Sequence, residues 1–292
     1  MKNNILKSFF ITLTTLSIFA ANSFAGDNTN AVPRFKKVIM VVFENENPQP
    51  TLQVPFFKQF AQEGVYFEQT IGEARPSQPN YLAMVAGDTF GVTSNSNVDL
   101  NVSHLGDLLE NKKMDWKVYA EDYPGNCYLG STSGSYARKH VPFLSFTNVS
   151  GNKTRCAKIV NFSQFQSDWA NHRLPQFVMI IPNNKNNGHD TGVDYAGSWF
   201  QKTFAASLKD PRLMADTLFI ATFDEGNRFS KNQFYTAMQS PKLKKGVVIS
   251  ARHDHYSLLK LIEDEWGLGN LGRKDKTAPV INGLTFLQTE EQ

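Results

Sequence analysis

KKVIMVVFEN, residues 36–45, is the stretch on which the fold turns. Val38 to Phe43 is an unbroken apolar run in which Val38, Ile39, Val41 and Val42 are β-branched. A strand with one face in water alternates polar and apolar residues; a run without alternation marks a strand covered on both faces. Working outward, the same grammar repeats. PFFKQFAQEG (55–64) has the spacing of an amphipathic helix stopped by Gly64, and VYFEQT (65–70) is the next strand. WKVYAED (116–122), QFVMIIP (176–182), TLFIATF (217–223) and GVVIS (246–250) read as further strands. LAMVAG (82–87), VSHLGDLLENKK (102–113), SWFQKTFAASLKD (198–210) and HYSLLKLIEDEWGL (255–268) read as helices between or after them. Buried strands alternating with helices predict an α/β domain, with a mostly parallel central sheet and helices on both faces. In such sheets ligands bind beyond the carboxyl ends of the strands.

The first 25 residues have the parts of a secretory signal peptide: Lys2 and Lys7, an apolar core, and Ser23-Phe24-Ala25 as the cleavage site. Its removal leaves residues 26–292 as a single domain, with export to the periplasm or the medium. No later run has transmembrane length. Losing two lysines and no acid lowers the formal charge from +3 to +1, too balanced to argue for nucleic acid or a general anionic-membrane surface. Cys127 and Cys156 are the two cysteines; in an oxidising compartment a disulfide between them is expected. Residues 123–165 are irregular, with Tyr123, Tyr128, Tyr136, Phe143 and Phe146 available to contact lipid or to pack under the disulfide.

Polar residues at the strand ends carry the chemistry. The first strand ends in Glu44-Asn45 and TLFIATF in Asp224-Glu225. Parallel neighbours would bring these oxygens together, and crowded carboxylates call for a cation. Oxygen ligands suit one divalent ion: Mg²⁺, Ca²⁺, Mn²⁺ or Zn²⁺. ARPSQPNY (74–81) sets Ser77 between two prolines at a helix start, either as an ordinary N-cap or as a fixed nucleophile beside an anion-binding terminus. With a metal and a phosphate, Ser77 suggests in-line displacement through a phosphoserine, and Asn80 a hydrogen bond to the phosphoryl group. His189 and His255 follow strands and His140 lies in the irregular region, so these three are candidates to supply the leaving group's proton. His253 reads as a surface residue. His104 and His172 read as structural, with no acidic partner in reach.

FEN (43–45), PSQPNYLAMVAG (76–87), YAEDYP (119–124), YARKHVPF (136–143), PNNKNNGHD (182–190), FDEG (223–226) and HYSLLKLIEDEWGL (255–268) occur in the order seen in the bacterial phosphoesterase family. That family includes secreted acid phosphatases and non-specific phospholipases C, within the alkaline phosphatase superfamily, and the resemblance runs from about Lys36 to Leu268. It implies an alkaline-phosphatase-like sandwich. It implies Ser77 as nucleophile with Asn80 beside it, and Glu44, Asn45, Asp224 and Glu225 as metal ligands together with Ser77. His140, His189 and His255 then line the site, with His189 as the acid. Arg75 stands where many members have His and could clamp phosphate. Asn187 stands where many have Asp, so one metal is expected rather than two.

The leading expectation is a secreted acid phosphatase acting on phosphomonoesters. A phospholipase C or a phosphoinositide phosphatase, on lipid phosphoesters, uses the same residues; the chain's length favours the first. A sulfatase is disfavoured because its signature needs arginine at the position of Tyr81. An inactive phosphate-binding relic is the non-enzyme alternative, favoured by Asn187 and Arg75 and opposed by an intact Ser77 and ligand pairs.

Overall fold

The computed structural model describes residues 33–287; the expected signal peptide lies outside them. Its centre is an eight-stranded sheet. The strands of the chain are β1 (Lys37–Phe43), β2 (Val65–Ile71), β3 (Trp116–Ala120), β4 (Thr132–Ser133), β5 (Tyr136–Ala137), β6 (Ile159–Asn161), β7 (Phe177–Ile181), β8 (Thr217–Phe223), β9 (Gln233–Gln239) and β10 (Val247–His253). The sheet order is β10-β2-β9-β8-β1-β7-β3-β6, and β4-β5 form a small separate hairpin. Every pairing in the large sheet is parallel except those of β9, which runs antiparallel to β2 and β8.

The opening stretch behaves as its pattern demands. Val38, Met40 and Val42 enter the core on one face of the sheet, with Trp116, Leu82, Phe143 and Leu258. Ile39, Val41 and Phe43 enter the core on the other, with Phe57, Phe60, Phe200 and Phe219. Successive strand residues point to opposite faces, so a strand inside two cores has no polar position.

Expected helices form at Pro55–Gln62, Ser77–Ala86, Leu105–Asn111, Val193–Phe204 and His255–Glu265. The third starts later than its apolar pattern because His104 caps it: the ring Nδ1 accepts from Gly106 N, and the Asp107 carboxylate accepts from His104 N. His104 therefore does have an acidic partner. His253 is buried against Phe67 in the register of β10 with β2, not on the surface, because β10 continues three residues beyond GVVIS. The Cys127–Cys156 disulfide is present, with Cα atoms 5.5 Å apart.

The register places the functional edge. Phe43 pairs with Phe223, so Glu44 and Asp224 are neighbours where β1 and β8 end, and Asp224 N donates to Phe43 O at 3.1 Å. The Ser77 helix follows β2 at the same edge.

Candidate active site

The chain leaves β1 through Asn45, whose φ of 56° is a left-handed conformation that Asn tolerates better than most residues. The turn lays the Asn45 amide against Glu44 and Asp224, with Asn45 N donating to Asp224 Oδ1 at 3.3 Å. One amide orientation aims its oxygen at both carboxylates; the other donates to Asp224 Oδ1 at 3.0 Å and Glu44 Oε2 at 3.1 Å. Three oxygens gathered at this spacing is the arrangement a cation relieves.

Ser77 is the first residue of its helix, and Pro76 holds the cap position without a side-chain cap bond. The hydroxyl is thus not an N-cap. It is 1% exposed and donates to Glu44 Oε2 at 3.0 Å. Gly87 ends the helix at φ 68°, a conformation glycine adopts without strain.

On the far side of Glu44, His140 Nε2 approaches Oε1 at 2.9 Å, off the line of a well-formed hydrogen bond. Its ring stacks on Tyr81, centroids 5.1 Å apart. Burial opposes ionisation of Glu44, yet His140 and Lys139 together bring it down to about 2. Asp224 goes the other way: burial, then the charges of Glu44 and Glu225, push it well above the carboxylate range. Burial also lifts Glu225, to about 7, with Arg75 pulling against it. Two carboxylates held from ionising by burial and by the charge of Glu44 are what a bound cation reverses.

The other candidates are placed less directly. His189 sits at the mouth, its side chain 35% exposed, with Nδ1 on Asp190 at 2.7 Å and its ring 6.3 Å from that of His140. His255 is fully buried beneath the site: Nδ1 meets Glu73, Nε2 meets Phe223 O at 3.1 Å, and the ring stacks on Phe234. Burial works against its charge, but Glu73 and Phe223 O hold its pKa up. Both nitrogens being engaged, His255 braces the end of β8 rather than reaching a ligand. Asn80 is likewise spent, accepting from Glu73 N and Ala74 N and donating to Ala74 O and Pro76 O. Arg75 grips the next loop: its guanidinium donates to Gly226 O, Asn227 O, Ser230 Oγ and Glu225 Oε2. The fourfold engagement leaves it no fork for a phosphate clamp.

Two residues join the site unannounced. Tyr81 is fully buried, with a phenol that has no hydrogen-bond partner, and burial and the Glu44 charge keep it protonated. Its four-residue offset from Ser77 puts both on one helix face, a signal present in PSQPNY. Lys139 is half-buried beside His140, and its charge is felt by Glu44 and Glu225. Among the described residues it makes no ion pair or side-chain hydrogen bond.

Among the described residues, no three His, Cys, Asp or Glu side chains form a metal-ligating cluster. The converging set is mixed: Glu44, Asp224, the Asn45 amide and the Ser77 hydroxyl, with Asp224 Oδ2 buried and unpartnered. Such an oxygen-rich set with an orphaned carboxylate oxygen fits a hard divalent cation.

The profile of the phosphoesterase family matches residues 23–269. The chain belongs to that family. It is 35% identical to a probable acid phosphatase of Kluyveromyces lactis over 260 residues, 85% of this chain and 62% of that protein. It therefore spans less than two thirds of that relative's length. A phosphatidylinositol-3-phosphatase of Mycobacterium tuberculosis is 31% identical over 262 residues, 87% of this chain and 84% of that one. Among solved structures, an alkaline phosphatase superfamily protein of Vibrio parahaemolyticus superposes with a TM-score of 0.59 at 13% identity, covering 86% of this phosphoesterase and 72% of its own chain. At that identity the likeness speaks for the fold, and the mostly parallel sandwich agrees with it.

Proposed function

We propose that this phosphoesterase is a metal-dependent phosphomonoesterase of the acid phosphatase type that works through Ser77. The observation that carries the reading is the Ser77 hydroxyl, fixed at a helix N-terminus on Glu44 and flanked by the unpartnered oxygen of Asp224. The relatives of known name support the same reaction class. A divalent cation held by Asp224, Asn45, Ser77 and Glu44 would supply Lewis-acid polarisation and acidify the serine. Glu225, with one oxygen on Arg75, stands at the margin of that set.

Ser77 Oγ attacks phosphorus in line, and Glu44, already its hydrogen-bond acceptor, is the nearest base for its proton. Lys139, the uncommitted cation at the rim, meets the phosphoryl oxygens in the role Arg75 is too occupied to fill. His189 protonates the leaving alkoxide; Asp190 on Nδ1 leaves Nε2 free to face the cleft. Water entering on the vacated side then hydrolyses the phosphoserine. Asn80, Arg75 and His255 act by holding the loops that carry Ser77, Asp224 and Glu225.

A second reading, a phosphatase of lipid phosphomonoesters, draws on the phosphatidylinositol-3-phosphatase relative. Turnover of a chromogenic phosphomonoester and its phosphocholine diester by wild type and Ser77→Ala, with chelator and with each divalent metal, tests the main reading. Monoester hydrolysis lost on both serine removal and chelation is expected. Diester turnover alone would overturn it in favour of a phospholipase C.

A further inference from the structure

Phe229 is 83% exposed, and a single exposed aromatic needs no explanation by itself. Its setting does. The loop GNRFSKN (226–232) carries Arg228 and Lys231, both exposed, and no acid. The loop is also braced. Arg75 bonds Gly226 O and Asn227 O, Asn227 N donates to Asn47 Oδ1 at 3.0 Å, and Asn232 ties Gly226 N to Ala74 O. A Cβ at Gly226 would meet Gln233 O at 2.2 Å, so the turn needs glycine at the point where it leaves the site. Phe229 N is held by Asn227 Oδ1 at 3.0 Å, and the Arg228 guanidinium lies 4.6 Å from the Phe229 ring centroid. A tied-down backbone therefore presents an aromatic ring and two cations to solvent at the sheet edge that holds Ser77. The acids beside the loop are engaged: half-buried Glu46 accepts from Asn227 Nδ2, and Glu225, which precedes the loop, accepts from Arg75. Tyr195 and Leu129, also exposed, lie in the connections that follow β7 and β3.

We propose that the 226–232 loop docks the protein on an anionic phospholipid surface. Phe229 enters the interfacial layer, where aromatic rings are at home, and Arg228 and Lys231 meet lipid phosphates. The chain's near-neutral total charge hides this local basic wedge. The docking gives the phosphomonoesterase reading, on which it rests, a substrate class: phosphomonoester headgroups presented at a membrane.

The test is co-sedimentation with vesicles of phosphatidylcholine alone and of phosphatidylcholine mixed with phosphatidylserine, at low and high salt. Wild type, Phe229→Ala and the Arg228→Ala/Lys231→Ala pair are compared, with hydrolysis of a soluble chromogenic monoester measured in parallel. Wild type is expected to sediment with the mixed vesicles only, and less at high salt. Each charge removed should weaken binding about fivefold, and loss of the ring roughly tenfold, with soluble hydrolysis unchanged. Equal sedimentation with both vesicle types, or variants that bind like wild type, would overturn the proposal. So would no sedimentation of wild type, which would turn the wedge toward a protein partner. Binding is read without turnover, so failure of docking appears as intact hydrolysis with no binding. Failure of the catalytic reading appears as binding without hydrolysis.

Discussion

Ser77, Glu44 and Asp224 form a unit in which each group answers another's charge or proton, so single substitutions should cost nearly as much as the whole. Ser77→Ala is expected to lower kcat on a phosphomonoester by about 10³-fold or more with the fold intact by circular dichroism; near-normal kcat would remove the nucleophile. Lys139→Ala should lower kcat/KM roughly 10- to 100-fold, the range for a charged hydrogen bond, mostly through KM, in steady-state kinetics. Unchanged KM would return the phosphate to another cation. At this scale the convergence of Glu44, Asn45 and Asp224 was legible because they stand at strand ends, and that of Ser77 because it opens a helix at the same edge. The engagement of Asn80, Arg75 and His255 by neighbouring groups was not legible. Polar residue types reveal what a side chain can bond but not whether the backbone around it has already claimed the bonds, as Ala74 and Glu73 do for Asn80.

At the scale of elements, the strand runs were readable because burial on both faces strips polar residues from them. Two strands of the large sheet escaped, as did the short β4-β5 hairpin. β6 is three residues long, and β9 reverses direction inside an otherwise parallel sheet, where alternation with helices offers no cue. The helix His255–Glu265 holds a buried acid with consequences for stability. Glu263 is 1% exposed with both oxygens unpartnered, and burial first, then the Asp275 carboxylate, raise its pKa from 4.5 to about 8. The folded state therefore holds its proton more tightly than the unfolded chain, and the resulting stabilisation is complete below pH 4.5. It is lost as pH rises toward about 8. Glu263→Gln should remove this dependence: in urea titrations the variant gains stability over wild type as pH rises from about 5 to about 8.5. A constant difference across pH would mean that Glu263 does not titrate in this window.

For the molecule as a whole, the disulfide ties the irregular cover to itself across 29 residues of sequence. Chain-entropy reasoning puts its worth at about 3 kcal/mol, so the reduced protein should melt roughly 6–12 °C lower by calorimetry; an unchanged Tm would show that the cover contributes nothing to global stability. The segment it staples is also the one that delivers Lys139 and His140 to the site, joining a long loop excursion to chemistry at the sheet edge. Phosphoryl transfer by way of Ser77 is tested most directly by the stereochemical course at phosphorus, using a phosphomonoester made chiral with oxygen isotopes and an acceptor alcohol. Each in-line displacement inverts the centre, so transfer through a phosphoserine predicts net retention. Inversion would mean that the acceptor attacks phosphorus directly and that Ser77 never carries the phosphate.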